Sequence, residues 1–268
     1  MIRCAVLGSP IAHSLSPVMH RAAYAALGLD GWAYDAHEVD EAGLGAFLDG
    51  LDDSWRGLSL TMPLKRAAVP LVDDLTPHAL SVRTVNTIVF ADGRRRGDNT
   101  DIPGMSVALA ERGVHDVSTA VIVGAGATAA STAASLRLGG LQEATVLVRE
   151  PGRASGLARL MRGWGIDVTV AALGAEIPEV ELLVSTVPAD AVAGHAAGWC
   201  ERAAAVFDVV YDPWPTPLAA RAVRAGLPVV SGIDLLANQA ALQVAQMTGE
   251  AIDAEPLRAA AFAALAAS

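Results

Sequence analysis

Short apolar runs rich in β-branched residues alternate along the chain with longer stretches that have helical composition. Each run ends at Gly, Pro or a cluster of small polar residues, which stop strands and start turns. The runs predict strands over residues 2–7, 32–39, 57–60, 84–90, 121–123, 144–148, 167–172, 181–187, 206–211 and 228–231. Helices are expected near 41–51, around Lys65, up to about 113, after Gly126, and over 233–248 and 256–267. This alternation predicts an α/β protein with a parallel sheet in the second half of the chain.

The stretch 120–134 has the pattern of a dinucleotide-binding turn. The apolar run 121–123 stops at Gly124, and an Ala-rich helical run begins at once. Gly124 and Gly126 have no Cβ atoms, so the backbone can turn sharply and approach a pyrophosphate at a helix N-terminus. Ala129 occupies the third position of the G-x-G-x-x-G/A motif. Small residues also let any helix pack closely on a strand, so the motif alone leaves a structural interpretation open. A second apolar strand about 20 residues further on favours nucleotide binding.

Composition and charge narrow the possible functions. The 268 residues are 53% hydrophobic and 18% charged, which is typical of a globular protein long enough for two domains. No apolar run reaches the roughly 18 residues that span a membrane, and the N-terminal strand is too short for a signal peptide, so a cytoplasmic protein is expected. The net charge of −10 disfavours nucleic acid and anionic membranes as partners. Cys4 and Cys200 lack metal-ligand spacing, so no metal is expected and both are predicted to be buried thiols.

Two serines follow the first strand. Ser16 precedes Pro17 and has the chemistry of a helix N-cap. Ser14 and Ser16 would also offer two hydroxyls to a carboxylate at the helix N-terminus, and the two interpretations are compatible. His13 and His20 flank this motif without triad partners, so surface or core positions are expected for both.

Lys65 and Asp101 are candidates for acid–base chemistry. Thr61 and Pro63 mark a junction of strand and helix, and Lys65 falls in the first turn of that helix. An ammonium group near the positive end of a helix has a reason to lose its proton, whereas a solvated surface lysine is the alternative. Asp98 and Asp101 belong to a cluster of turn residues, so each carboxylate could cap the next helix or face a ligand.

Seven motifs occur in a fixed order along nearly the whole chain. They are Ser14-Leu-Ser-Pro17, Thr61-Met-Pro-Leu-Lys65, Val85-Asn-Thr87, Gly97-Asp-Asn-Thr-Asp101, Gly124-Ala-Gly-Ala-Thr128, Tyr211-Asp-Pro-x-x-Thr-Pro-Leu218 and Gly232-x-x-Leu-Leu-x-x-Gln239-Ala. Each is modest alone, but together they resemble the shikimate dehydrogenase family. The resemblance implies reversible oxidation of the ring 3-hydroxyl of shikimate to 3-dehydroshikimate with a nicotinamide cofactor, in the pathway toward aromatic amino acids.

The resemblance also implies a two-domain architecture. A Rossmann-like dinucleotide-binding domain is expected over 102–232, and a discontinuous α/β substrate-binding domain over 1–101, completed by 233–268. Gln239 would then come from the far end of the sequence, and the site would lie in a cleft whose closure excludes water. A homodimer is one assembly that the sequence leaves open.

Residue roles of the family carry over where the motifs match. Lys65 would exchange a proton with the 3-oxygen, and Asp101 would position the hydroxyl and tune the lysine. The substrate carboxylate would be held by Ser14 and Ser16. The ring hydroxyls would be held by Thr61, Asn86, Asp101 and Gln239. Tyr211 would line the site beside the nicotinamide. The pyrophosphate would be contacted by Gly124, Gly126, Ala127 and Thr128. The adenosine ribose phosphate would be contacted by Arg149 and Arg153. The residues expected near the nicotinamide ribose are Ser185, Thr186 and Gly232.

The residues after the strand at 144–148 favour NADP over NAD. A ribose 2′-phosphate requires cations, which Arg149 and Arg153 supply, whereas an Asp or Glu at this point binds a 2′-hydroxyl. Glu150 is a residue that would instead indicate NAD, unless it is a surface partner of the two arginines.

The chain departs from the family pattern at Ser59, Arg83, Thr84, Ile102 and Val187. Arg83 stands where a small Gly is usual, so we expect it to alter the backbone or to intrude near the pocket. A relative acting on quinate or on an amino analogue of shikimate stays an alternative. A silent dinucleotide-binding sensor is another, although a sensor has no need of both members of the catalytic pair.

Overall fold

Residues 1–267, which the computed structural model describes, contain two six-stranded sheets and the helices that connect their strands. The strands are β1 (Ile2–Gly8), β2 (Trp32–Glu38), β3 (Trp55–Leu60), β4 (Asp74–Leu75), β5 (Thr87–Ala91), β6 (Arg94–Asp98), β7 (Thr119–Val123), β8 (Glu143–Val148), β9 (Asp167–Ala172), β10 (Val180–Ser185), β11 (Ala203–Asp208) and β12 (Val229–Ser231). The α-helices are α1 (Ser16–Ala26), α2 (Leu44–Asp49), α3 (Leu64–Ala67), α4 (Pro77–Val82), α5 (Asp101–Glu111), α6 (Ala127–Leu138), α7 (Ser155–Gly163), α8 (Ala189–Val192), α9 (Ala196–Cys200), α10 (Pro217–Arg224), α11 (Gly232–Thr248) and α12 (Ala254–Ala267).

The chain divides into two compact units. The first contains Met1–Gly104 and the segment from Leu236 onward, and the second contains Met105–Leu235. The chain leaves the first unit within α5 and returns to it within α11. Both boundaries fall three residues beyond those expected from the sequence, because a helix that runs through a junction carries no boundary signal in its composition.

The first unit is built on a mixed sheet with strand order β2-β1-β3-β5-β6-β4. β1 pairs in parallel with β2 and β3, while β5 pairs antiparallel with β3 and β6. Apolar side chains of β1, β3 and β5 form one core with those of α2 and α3. Because β1 and β3 are parallel neighbours, the loops that carry Ser14 and Thr61 leave the sheet at the same edge.

The second unit is built on a parallel sheet with strand order β12-β11-β10-β7-β8-β9. The order reverses between β7 and β10, whose last residues Val123 and Ser185 are register partners. In open parallel sheets, ligands bind outside the carboxyl ends of the strands at this switch point. The turn at Gly124 and the loop at Thr186 therefore lie where a ligand is expected.

Ser16 is not the N-cap of α1, so this local prediction was wrong. Ser16 is the first helical residue, and the cap position is Leu15. The hydroxyl of Ser14 accepts a hydrogen bond from the Ser16 N–H at 3.3 Å. The side-chain contact at this helix start thus comes from the earlier serine, and Pro17 still fits in the first turn.

The ends of three predicted strands differ in the structure. The segment 84–86 precedes β5, although the Val85 N–H donates to the Lys65 carbonyl at 2.7 Å. β10 and β11 end before Thr186 and Tyr211, which lie in loops. Apolar residues continue past the ends of β10 and β11, at Val187 and at Val209 and Val210, so the sequence pattern alone does not mark those strand ends.

Arg83 has the backbone conformation that a glycine would adopt. It is the C-cap residue of α4, with φ of 51°, and its side chain is exposed. The left-handed conformation is the usual way to end a helix, and it costs a non-glycine residue about 1–2 kcal/mol. Arg83 therefore combines a glycine-like backbone conformation with an exposed side chain, and its effect near the pocket stays a prediction.

His20 is a neutral core residue of the first unit. It is fully buried and stacks on Tyr34 with ring centroids 3.9 Å apart. Burial lowers the pKa of His20 from 6.5 to about 3, and a hydrogen bond with Gln243 offsets only part of this effect. A core position was one of the two that the sequence predicted.

We expect the free energy of unfolding to fall as the pH is lowered from about 6.5 toward 3. In this window the unfolded chain binds a proton on His20 that the folded protein does not, which costs about 1.4 kcal/mol per pH unit. Stability from neutral His20 is fully present above pH 6.5 and is lost on acidification. Urea unfolding between pH 7 and pH 4 would measure the slope. His20→Phe should flatten it, and His13→Gln, at an exposed position, should not; equal slopes in wild type and His20→Phe would contradict the prediction.

Cys4 and Cys200 are free and buried, as expected. Within residues 1–267, no helix is long and apolar enough to cross a membrane. The same residues contain no group of three or more His, Cys, Asp and Glu side chains that could hold a metal ion.

Candidate active site

Lys65 and Asp101 form an ion pair in the first unit. Lys65 lies in the single turn of α3, and Asp101 is the first residue of α5. Lys65 Nζ lies 2.6 Å from Asp101 Oδ2, and the two side chains are only 17% and 7% exposed. An amine held this close to a carboxylate, with little solvent around it, is well placed for proton transfer to a ligand.

Lys65 is the only lysine among the 19 lysine and arginine residues of the chain. Elsewhere the chain uses arginine for positive charge, including the next residue, Arg66. Arginine keeps its proton under all conditions that proteins meet, whereas lysine can release it. A lysine at this position therefore supplies a proton that can leave, which an arginine would not.

Polar side chains surround the second carboxylate oxygen of Asp101. Asn86 Nδ2 donates to Asp101 Oδ1 at 2.9 Å, and Asn86 Oδ1 accepts from the Thr100 N–H at 2.8 Å. Gln239 Oε1 lies 3.4 Å from both Asn86 Nδ2 and Thr100 Oγ1. The α11 backbone can approach this closely because a Cβ atom at Gly104 would lie 2.9 Å from Gln239 N. The structure thus brings Asn86, Asp101 and Gln239 together.

Ser14, Ser16 and Thr61 lie near the adjoining ends of β1 and β3. A Cβ atom at Gly8 would lie 2.4 Å from Thr61 Cγ2, so only glycine lets the two loops touch. Ser14 is half-buried and Ser16 is buried. The α1 N-terminus with two hydroxyls is suited to a carboxylate.

Asp98 has a structural role. It accepts hydrogen bonds from the Thr76 hydroxyl, from the Asn99 N–H at 2.7 Å and from Gln246 Nε2 at 2.6 Å. These contacts join the N-cap of α4 to α11. Of the two aspartates in the motif, it is Asp101 that pairs with the lysine.

A cavity of about 470 Å³ opens beside the glycine-rich turn of the second unit. Gly124, Gly126, Arg149 and Arg153 are among the residues that line it. Gly126 is the N-cap of the 12-residue helix α6, and a Cβ atom there would meet nothing within 4 Å. A helix N-terminus that opens on a cavity with two arginines fits the phosphates of a dinucleotide.

The switch point itself has two further features of a ligand site. Gly124 has φ of 108°, and a Cβ atom there would lie 2.3 Å from Thr186 Oγ1, so this position requires glycine. Thr186 Oγ1 donates to the Val123 carbonyl at 2.8 Å. The hydroxyl of Ser185 is buried without a hydrogen-bond partner among the described residues. Since buried hydroxyls are normally paired, this one fits a ligand group at the end of β10.

The remaining predicted contacts also belong to the second unit. Ala127 and Thr128 open α6, where the backbone N–H groups have no helical partner. Gly232 is required by packing, because a Cβ atom there would lie 2.1 Å from the Val209 carbonyl oxygen and 3.2 Å from the Tyr211 ring. Burial raises the pKa of Tyr211. Tyr211 is the one predicted substrate contact that lies outside the first unit.

Four polar residues that adjoin the ion pair or its supports were not among the predicted site residues, namely Tyr34, Thr87, Thr100 and Gln243. All four are buried and hydrogen-bonded. Gln243 follows Gln239 by four residues, the spacing that puts two side chains on one helix face, so this signal was available. No sequence pattern distinguishes Tyr34 from an ordinary core aromatic.

A parallel sheet with a glycine-rich turn at its switch point, together with a lysine–aspartate pair, is typical of dinucleotide-dependent dehydrogenases. A family model described as the shikimate dehydrogenase substrate binding domain matches residues 6–88. The shikimate dehydrogenase (NADP(+)) of Methylobacterium radiotolerans is 38% identical over 265 residues, covering 89% of this chain and 88% of that protein. The chain belongs to the shikimate dehydrogenase family.

Solved structures agree over almost the full length. Mycobacterium tuberculosis shikimate dehydrogenase matches with a TM-score of 0.91 and 38% identity, covering 98% of this chain and 100% of that one. Shikimate 5-dehydrogenase from Thermus thermophilus, in complex with NADP(H) and shikimate, matches with a TM-score of 0.85 and 34% identity, covering 99% and 100%. The α/β fold class expected from the sequence is confirmed.

Proposed function

We propose that the protein catalyses the reversible, NADP-dependent oxidation of shikimate to 3-dehydroshikimate, a step toward aromatic amino acids. The observation that carries the proposal is the 2.6 Å contact between Lys65 and Asp101, surrounded by polar side chains suited to a ring of hydroxyls. Relatives named shikimate dehydrogenase (NADP(+)) support the activity, and a relative in complex with NADP(H) and shikimate supports both ligands.

The first unit is the proposed substrate-binding domain, and the second is the proposed NADP-binding domain. Ser14 and Ser16 hold the substrate carboxylate, because the N-terminus of α1 favours an anion. Ring hydroxyls are bound by Thr61, Asn86, Asp101 and Gln239, and the resemblance to the family adds Tyr211 as a further contact.

Lys65 transfers the proton, and Asp101 positions the substrate hydroxyl and the lysine. Lys65 Nζ takes up the proton of the substrate 3-hydroxyl as the hydride leaves C3, and in the reverse direction it returns a proton to the 3-oxygen. Asp101 accepts a hydrogen bond from the hydroxyl and holds the lysine through the ion pair. Bound NADP supplies the nicotinamide ring that takes up the hydride.

The second unit binds the cofactor through its glycine-rich turn and two arginines. The α6 N-terminus, with Gly124, Gly126, Ala127 and Thr128, receives the pyrophosphate. The ribose 2′-phosphate is bound by Arg149 and Arg153. Ser185, Thr186 and Gly232 line the nicotinamide end.

One assay tests the proposal. Reduction of NADP and of NAD is followed with shikimate and with quinate as substrates, and the highest kcat/KM is expected for shikimate with NADP. A higher kcat/KM for quinate would reassign the substrate. Binding of both ligands without any reduction would favour the silent sensor. We also propose a cytoplasmic location and no macromolecular partner other than a second copy of the chain. Light scattering would detect such a homodimer.

A further inference from the structure

We infer that Thr87 and Gln243 position the catalytic pair, because they fix the side-chain amide of Asn86 against Asp101. The inference rests on the proposed function. It concerns two buried residues of the first unit that have no role in the chemistry described so far.

Gln243 has only one orientation that satisfies its neighbours. Its Nε2 donates to the backbone carbonyl of Asn86 at 3.2 Å and to Thr87 Oγ1 at 2.9 Å. A carbonyl can only accept, so the amide nitrogen must lie on this side. Gln243 Oε1 then faces the opposite way, where it accepts from the Ser59 hydroxyl at 2.7 Å and lies 3.3 Å from His20 Nε2.

This orientation determines the far end of the network. Because Gln243 Oε1 can only accept, His20 carries its proton on Nε2. His20 Nδ1 is buried without a partner among the described residues, in agreement with a ring that stays neutral. Ser59 uses its only proton on Gln243, so it accepts from the Tyr34 hydroxyl at 2.6 Å. Tyr34, stacked on His20, closes the network.

Thr87 links Gln243 to Asn86, and its hydrogen bonds continue in the same donor-to-acceptor direction toward the ion pair. Its hydroxyl accepts from Gln243 Nε2 and donates its only proton to Asn86 Oδ1 at 2.7 Å. The Thr100 N–H, which can only donate, also points at Asn86 Oδ1. Asn86 Nδ2 must therefore face Asp101 Oδ1, so the orientation of the Asn86 amide follows from Thr87 and from the Thr100 N–H.

The consequence concerns geometry at the reacting groups. Asp101 is held at one oxygen by Asn86 and at the other by Lys65. Without the Thr87 hydroxyl, Asn86 loses one of the donors that hold its oxygen, and Gln243 loses an acceptor. Displacements of about 1 Å at a catalytic group can cost about 10²-fold in rate. Thr87 and Gln243 thus act through Asn86, as positioning residues.

A pair of substitutions at Thr87 tests the inference. Thr87→Val removes the hydroxyl at nearly constant volume, and Thr87→Ser keeps it. We expect Thr87→Val to lower kcat for shikimate with NADP about tenfold or more, with KM changed less than about threefold, because positioning acts on the transition state. Thr87→Ser should recover most of the wild-type kcat.

Gln243→Met and Gln246→Met extend the test along α11. Gln243→Met keeps the length of the side chain without its amide and should lower kcat as Thr87→Val does. Gln246 is an exposed glutamine of the same helix, and its amide donates to the Asp98 carboxylate and not to the side chain of Thr87 or Asn86. The same exchange at Gln246 is the matched control and should keep wild-type kcat. Thermal unfolding of each variant gives the folded fraction, by which kcat is corrected.

The outcomes separate the inference from the function on which it rests. Wild-type kcat in Thr87→Val, equal losses in Thr87→Val and Thr87→Ser, or a loss that follows only the unfolded fraction would overturn the positioning role and leave the proposed function intact. A wild-type protein that does not oxidise shikimate would overturn the proposed function, and the positioning role with it.

Discussion

Lys65→Ala is expected to lower kcat for shikimate oxidation by about 10²- to 10⁴-fold, which is the usual contribution of a proton-transfer group. Substrate binding should change far less, because the proton moves only in the transition state. Steady-state kinetics give kcat, and calorimetric titration with shikimate gives the Kd. A variant that keeps more than about a tenth of wild-type kcat would show that Lys65 is not the catalytic group.

Lys65→Arg distinguishes the loss of a transferable proton from the loss of positive charge beside Asp101. Arginine restores a cation beside Asp101 but does not give up its proton, so this variant should be nearly as slow as Lys65→Ala. Arg66→Ala removes a cation from the next, exposed position and should keep wild-type kcat. Recovery of activity in Lys65→Arg would mean that the lysine contributes charge alone.

The glycine-rich turn could be predicted from the sequence because its chemistry is local. A strand of β-branched residues, a glycine with positive φ and an Ala-rich helix are neighbours in sequence and in space, and β7, Gly124 and α6 follow that order. The ends of β10 and β11 could not be predicted in the same way. A ladder ends where its partner strand ends, and the partner's position is a tertiary property.

The network behind the ion pair could not be predicted, because its members are far apart in sequence. Gln243 lies 157 residues from the Asn86 carbonyl to which it donates. Ser59 was recognised only as a departure from the family pattern, whereas in the structure its hydroxyl joins Tyr34 to Gln243. A polar residue in a strand can be predicted to be buried and hydrogen-bonded only when its partners are known.

The cofactor preference depends on charges at the cavity of the second unit. Arg149 and Arg153 line that cavity, and so does Asp190 on α8, whose carboxylate would oppose a 2′-phosphate. Both arginines are exposed, so solvent and salt screen them in part. A guanidinium that binds phosphate with two hydrogen bonds nevertheless contributes more than a solvent-screened carboxylate removes.

Arg149→Ala is accordingly expected to lower the ratio of kcat/KM for NADP to that for NAD by tenfold or more, mainly through a higher KM for NADP. The estimate follows from about 1.5–3 kcal/mol for a hydrogen bond to a charged group, at 1.4 kcal/mol per factor of ten. Arg159→Ala, at an exposed position of α7, is the matched control and should leave the ratio unchanged. Glu150→Gln distinguishes the two interpretations of Glu150: a surface partner of the arginines predicts little change, whereas a carboxylate that binds the 2′-hydroxyl predicts poorer use of NAD. Equal use of both cofactors by the wild type, or an unchanged ratio in Arg149→Ala, would remove the basis for NADP, since the 2′-phosphate would then lack its principal cation.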